Sequence, residues 1–350
     1  MMAWGTAVMV WLGLMAVLLA MAGYFAWSLA DETAPTLAGC LIGLMLLNCM
    51  QVLRYGNVAG IAVSLCVIAT WCFVKERNTV AGVLLLAVSL ALKPHDSGFV
   101  WLYFLLAGGV MRKRALQTLG VTAIIGILAA IWIAPSSPRW LQELHTNHEI
   151  AAQVGGTSDP ALTGLSSGGT QTILALQAVF SYFLKTPHAY NLASFLVAGG
   201  LIAVWAFVVL RRRTTPEATM LAIAAIAVLT LLPIYHRPYD AKLLMLSIPA
   251  CAMLWAKGGA NRWMSFAFTL TAVLLTSEIP LAALLISTKA LGISASLPAN
   301  HSVVVQLLPP LALLAMGSYF LWMLVRYVPS PPLHARQLAT AGVVRNGVNK

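Results

Sequence analysis

The chain has 350 residues, 60% of them hydrophobic and only 9% charged, with a formal net charge of +11. A soluble domain is about one quarter charged, so an ordinary soluble protein is excluded and a polytopic membrane protein is indicated. The positive charge sits in short clusters between apolar runs, which reads as loop topology signals and excludes a nucleic-acid-binding surface.

A bilayer core needs roughly 20 apolar residues per helix. In chain order the apolar runs are 4–29, 37–53, 58–74, 79–92, 98–111, 115–134, 190–210, 217–234, 240–256, 263–287 and 303–326. The fold expected is therefore all-α, a transmembrane helical bundle of about 11 spans. Runs 79–92 and 98–111 are short, reaching only about 21 Å each as helices. Short helices suit a place where the chain turns against protein or a wet cavity rather than lipid. The first run is long enough to span and has no basic segment before it, so a signal peptide is not expected there. Cys40, Cys49, Cys66, Cys72 and Cys251 lie in or beside apolar runs without a C-x-x-C pair, which argues against disulfides or zinc.

Five basic clusters orient the runs: Lys75/Arg77, Arg112/Lys113/Arg114, Arg211/Arg212/Arg213, Lys257/Arg262 and the tail from Arg326. All are expected on the cytoplasmic side. The intervals between them hold two spans each, provided that 170–183 lies in the interface or re-enters. One transmembrane domain, 1–326, is expected, with a disordered cytoplasmic tail over 327–350. The external or periplasmic side then receives 51–57, 93–97, the long loop 135–189, 235–239 and 288–302. This counting puts the N-terminus outside, with almost nothing before the first span.

Those external loops hold the polar groups. In "KPHDSGF", Lys93 either snorkels to headgroups or faces a phosphate at the lipid–water boundary, with His95 or Asp96 beside it. In "IYHRPYD", Tyr235, His236, Arg237, Tyr239 and Asp240 form an interfacial aromatic belt or a substrate site. In a site, Arg237 would fork onto a phosphate or sugar hydroxyls, His236 would donate beside it, and the tyrosines would stack on a sugar ring. Asp240 reads equally as the cap of the next helix. In "QVLRYGN", Arg54 is a third cation on the same side, with Gly56 allowing close approach of two helix ends. In "HTNHE", His145, His148 and Glu149 read as a solvated loop helix, with metal binding or acceptor contact as alternatives. Asp159 reads as a turn residue or a carboxylate base. No metal or cofactor is expected.

The order of these motifs carries a family resemblance. Gly56–Asn57 at a helix start, Ala81–Gly82 followed by Lys93–Pro94, and Tyr235-His236-Arg237-Pro238-Tyr239-Asp240 opening a late helix together resemble glycosyltransferase family 87. The resemblance runs to about residue 256 and more loosely to 326. One departure is Asn57, where glutamine is usual. It implies a GT-C type fold in the bacterial cytoplasmic (inner) membrane with an external or periplasmic active face. It also implies transfer of mannose or arabinofuranose from a polyprenyl-phosphate donor to a glycan or glycolipid acceptor. Carried over, Lys93, Arg237 and His236 hold the donor phosphate, and Tyr235 and Tyr239 shape the sugar site. Arg54, His95 and Asn57 join them as donor-binding candidates.

In the family the catalytic base is an aspartate in a first external loop. Here that loop and the helix before it are expected to be missing, which leaves Asp96, Asp159 and Asp240 as catalytic candidates. A transferase is the reading this favours. The alternatives are an inactive or truncated relative acting as a membrane scaffold, or a lipid-linked glycan transporter, which would need polar groups at mid-membrane depth.

Overall fold

The computed structural model describes residues 4–30, 32–153, 159, 173–212, 214–277, 279, 286 and 299–327. The expected tail beyond 327, most of the glycine- and serine-rich stretch 154–172, and 288–298 of the last external loop lie outside the described residues.

The described chain is an all-α bundle, as expected. Its helices are α1 (Trp4–Ala30), α2 (Pro35–Leu47), α3 (Met50–Tyr55), α4 (Ala59–Val74), α5 (Thr79–Leu92), α6 (Pro94–Ala107) and α7 (Gly109–Ser136). There follow α8 (Trp140–Ala152), α9 (Leu176–Phe183), α10 (Pro187–Arg211), α11 (Pro216–Leu229), a 3-10 helix (Asp240–Ser247), α12 (Ile248–Lys257), α13 (Ala260–Leu275) and α14 (Ala299–Arg326).

Among the described residues, five segments are long and apolar enough to cross a membrane: Trp4–Ala30, Pro35–Tyr55, Gly109–Ser136, Pro187–Arg211 and Leu307–Arg326. Ala59–Val74, Thr79–Leu92 and Pro216–Leu229 are shorter apolar helices. These lengths do not confirm the expected figure of about eleven spans. The difference has local causes. The run at 240–256 begins as eight residues of 3-10 helix before α12. The run at 98–111 divides at Gly108 and Gly109, whose φ values of +79° and +53° end α6 and start α7.

Helices buried on every side must be apolar on every side, and α4 and α11 are of this kind, with almost every residue buried. Around them stand helices with apolar outer faces. α7 exposes Ile127, Leu128, Ile131 and Trp132, a surface suited to lipid. Small residues let helices close on each other. At Gly60 an added Cβ would lie 2.5 Å from Val52 Cγ1 and 2.9 Å from Met15 Sδ, so α1, α3 and α4 meet at a point only glycine permits.

α6 and α11 run antiparallel. Tyr103 Oη donates to Thr219 Oγ1 (2.9 Å) near one end, and Thr230 Oγ1 donates to the His95 carbonyl (3.2 Å) at the other. The basic clusters gather at the first of these ends. Arg112 Nε donates to the Leu105 carbonyl and Arg114 to that of Phe73. Arg212 donates to the carbonyls of Val325 and Tyr327, and Lys257 lies over the Tyr327 ring. "KPHD" and "YHRPYD" lie at the opposite end, about 20 Å away along α6.

Candidate functional site

The site starts with a proline. The residue before proline is kept out of the α region, so α5 stops at Leu92 and Lys93 is extended, with φ −153° and ψ 80°. Pro94 is then a favoured first residue of α6. Two helices thus join with one residue between them. Lys93 stands at the joint, and His95 and Asp96 fall in the first turn of α6, where the helix dipole favours a carboxylate.

The opposite wall is non-helical chain. After Thr230 the backbone runs through Pro233 and Pro238 without a helical ladder. Its carbonyls need partners away from water, and two of these come from the chain leading into α9. Leu174 N donates to the His236 carbonyl (2.9 Å) and Leu176 N to that of Leu232 (3.0 Å). Residues 174–183 thus contribute an eight-residue helix and a strip of backbone that props up the site. Next, Arg237 N donates to Asp240 Oδ2 (2.9 Å), so the Asp240 carboxylate closes the turn that leads into the 3-10 helix.

The two walls meet in charge. Lys93 Nζ contacts Asp240 Oδ1 directly and lies 3.2 Å from Asp96 Oδ2 and 5.1 Å from the centre of the Tyr239 ring. Asp96 is 0% and Asp240 2% exposed, and buried charges persist only when paired. Burial works against the Lys93 ammonium, but the Asp240 and Asp96 carboxylates outweigh it and raise the lysine above its ordinary pKa. Burial, then Asp240, pushes the Tyr239 phenol up.

Two imidazoles complete the group. His236 is fully buried, its Nδ1 2.9 Å from the Ile234 carbonyl and its Nε2 3.3 Å from Asp96 Oδ1. His95 Nε2 is 3.8 Å from the same oxygen, and the two rings lie 5.1 Å apart. Both Asp96 oxygens and His236 Nε2 are buried without an aligned hydrogen bond among the described residues.

The family model of glycosyltransferase family 87 matches residues 1–233. The chain belongs to glycosyltransferase family 87. Membership supports a polyprenyl-phosphate-dependent glycosyltransferase function in general, and the multi-span all-α bundle is consistent with a GT-C-like fold. No curated protein and no solved structure matches the chain. The matched stretch includes Lys93, His95 and Asp96 and ends just before Tyr235.

The bundle of this family 87 protein brings together Lys93, His95, Asp96, His236, Tyr239 and Asp240. Arg237 is beside them, half-buried, with its guanidinium on Tyr235 through a contact of Nε with Oη and a ring distance of 5.1 Å. Arg54, Asn57, Asp159 and the His145–Glu149 pair stand apart. Arg54 is exposed over the ring of Tyr55, at 5.9 Å. Asn57 Oδ1 accepts from Ala59 N (2.9 Å) and so serves the start of α4. Asp159 is buried and accepts from Tyr190 Oη at 3.2 Å. His145 pairs with Glu149 at 3.1 Å on the exposed α8.

One functional-looking residue passed without a role in the sequence. Lys242 is 4% exposed and donates to the carbonyls of Met45 (3.2 Å) and Asn48 (2.7 Å). It satisfies the C-terminal carbonyls of α2, as a cation there should. It thereby fixes the break between α2 and α3 against the 3-10 helix. A lysine within an apolar run, two residues after Asp240, was the available signal.

Proposed function

We propose that this protein transfers a mannose- or arabinofuranose-like sugar from a polyprenyl-phosphate donor to a glycan or glycolipid acceptor outside the bacterial cytoplasmic membrane. One observation carries this reading: the buried group of Lys93, Asp96, His236 and Asp240 at the end of a family 87 bundle opposite the basic clusters. Basic clusters favour the cytoplasmic side, so the polar end faces outward, toward the periplasmic side.

Lys93 binds the donor phosphate as a point charge and Arg237 adds a planar fork. His95 and His236 flank the phosphate. Tyr235 and Tyr239 shape the sugar pocket, and Arg54 and Asn57 stand at the outer rim. The acceptor hydroxyl must lose a proton as its oxygen attacks the anomeric carbon and the polyprenyl phosphate leaves. Asp240 is the carboxylate best placed to take it, ahead of Asp96 and Asp159. When the donor phosphate draws Lys93 away, Asp240 loses its ammonium partner and becomes a stronger base. Donor arrival thus prepares the acceptor step.

A second reading, a non-catalytic scaffold, is favoured by Lys93 already lying between two carboxylates. Purified protein given polyprenyl-phosphate mannose or polyprenyl-phosphate arabinose with membrane glycolipid separates the two. Transfer by the wild type, lowered about a hundredfold or more in Lys93→Ala and Arg237→Ala, supports the enzyme. A folded wild type that transfers neither mannose nor arabinose supports the scaffold.

A further inference from the structure

The tautomer of His236 raises a problem that the ion pairs around it do not solve. A backbone carbonyl can only accept, so the contact with the Ile234 carbonyl places the ring proton on Nδ1. In the neutral ring Nε2 then carries a lone pair, and it faces Asp96 Oδ1 at 3.3 Å with no aligned hydrogen bond between them. Two electron-rich atoms, fully buried and face to face, are costly unless something positive lies between them. His95 Nε2 approaches the same oxygen, and the three ligand atoms fall within 4.8 Å of one another.

We propose that His95, Asp96 and His236 form a binding site for a late first-row divalent cation of the zinc type. Ligands about 2.1 Å from a tetrahedral metal stand about 3.4 Å from each other, close to the 3.3 and 3.8 Å separations of the imidazole nitrogens from Asp96 Oδ1. Two imidazoles with one carboxylate select zinc-like ions over magnesium or calcium. The carbonyl on Nδ1 is the usual orienting partner of a metal-binding histidine. Lys93 does not compete for the ligand atom, since it sits on Asp96 Oδ2. Nor does it saturate the charge, because two carboxylates and one ammonium leave one negative charge among Asp96, Asp240 and Lys93. Three protein ligands leave a fourth position open to water or to an anionic oxygen. This site holds whether or not the chain transfers sugars.

The test is the metal content of the full-length protein. It is purified in detergent on an affinity tag without histidines, stripped with chelator, reloaded with Zn2+ and freed of excess by gel filtration. The expected result is about one tightly held Zn2+ per chain, with Co2+ in its place giving the strong visible absorption of a four-coordinate site. His95 is half-exposed, so His95→Gln should fold, and its Zn2+ affinity should drop by at least about tenfold. His236→Gln should lose the metal as well, whereas His145→Gln with His148→Gln should retain it. Wild type that keeps no stoichiometric Zn2+, or that shows His236 protonated on both ring nitrogens by 15N NMR, overturns the proposal. So does Zn2+ retention unchanged in His95→Gln and His236→Gln, or its loss on changing His145 and His148.

Discussion

The ammonium of Lys93 rests on the carboxylate of Asp240, a residue 147 positions further along the chain. This pair joins the α5–α6 joint to the start of the 3-10 helix, and Asp96 holds the same ammonium from the other side. The contact ties the two halves of the polar end together.

Replacing Lys93 by Met should leave two buried carboxylates without their shared cation. Breaking a buried pair in this way costs about 3–5 kcal/mol, so the apparent Tm in detergent should drop well below that of the wild type. Adding Asp240→Asn to Lys93→Met should recover part of the loss. A double-mutant cycle with no coupling would show that the contact contributes nothing.

Lys93 also fixes an alkaline response. Its pKa is raised above the ordinary lysine value in the folded protein, against burial, by Asp240 and Asp96, with Tyr239 facing it as well. A folded-state pKa above the unfolded one gives stability that is complete below about 10.5 and is lost as pH rises through the folded value. Thermal unfolding should therefore show no loss from this group between pH 6 and 9 and a step above that range. The step should be missing in Lys93→Met.

Lys242→Met should free the Met45 and Asn48 carbonyls. Leaving such groups unpaired costs about 1–3 kcal/mol. The expected sign is faster amide exchange over residues 48–55, read by hydrogen–deuterium exchange, with exchange in α14 unaltered. Unchanged protection at 48–55 would mean that the α2–α3 break is held by other contacts.

Leu174→Pro deletes the N–H that serves the His236 carbonyl. The loop over 232–238 should lose exchange protection and any transfer activity should fall, while the apolar core of α4 and α11 keeps its protection. Full activity in this variant would remove the 170–183 region from the site.

Much of the bundle could be read from run lengths, because membrane helices must be apolar throughout. That same uniformity hides their ends. Residues 37–53 look continuous, yet the chain breaks at Asn48, whose side chain turns back to the Leu44 carbonyl and whose own carbonyl is taken by Lys242. The eight residues of 3-10 helix at 240–247 are likewise set by packing and by the turn that Asp240 closes with Arg237, not by propensity. Single motifs marked Lys93, Asp96, His236 and Asp240 as chemically capable. What they could not give was the pairing, since Lys93 and Asp240 meet only through the antiparallel packing of α6 and α11. Asp96 lies between two histidines for the same reason.

The most direct measurement is equilibrium binding of a polyprenyl-phosphate sugar to purified wild type, Lys93→Met and Arg237→Met, with folding checked by gel filtration. Weaker binding in both variants by at least about tenfold, one lost charge contact each, is the expected result. Equal binding by all three proteins would contradict a donor phosphate held at this end of the bundle.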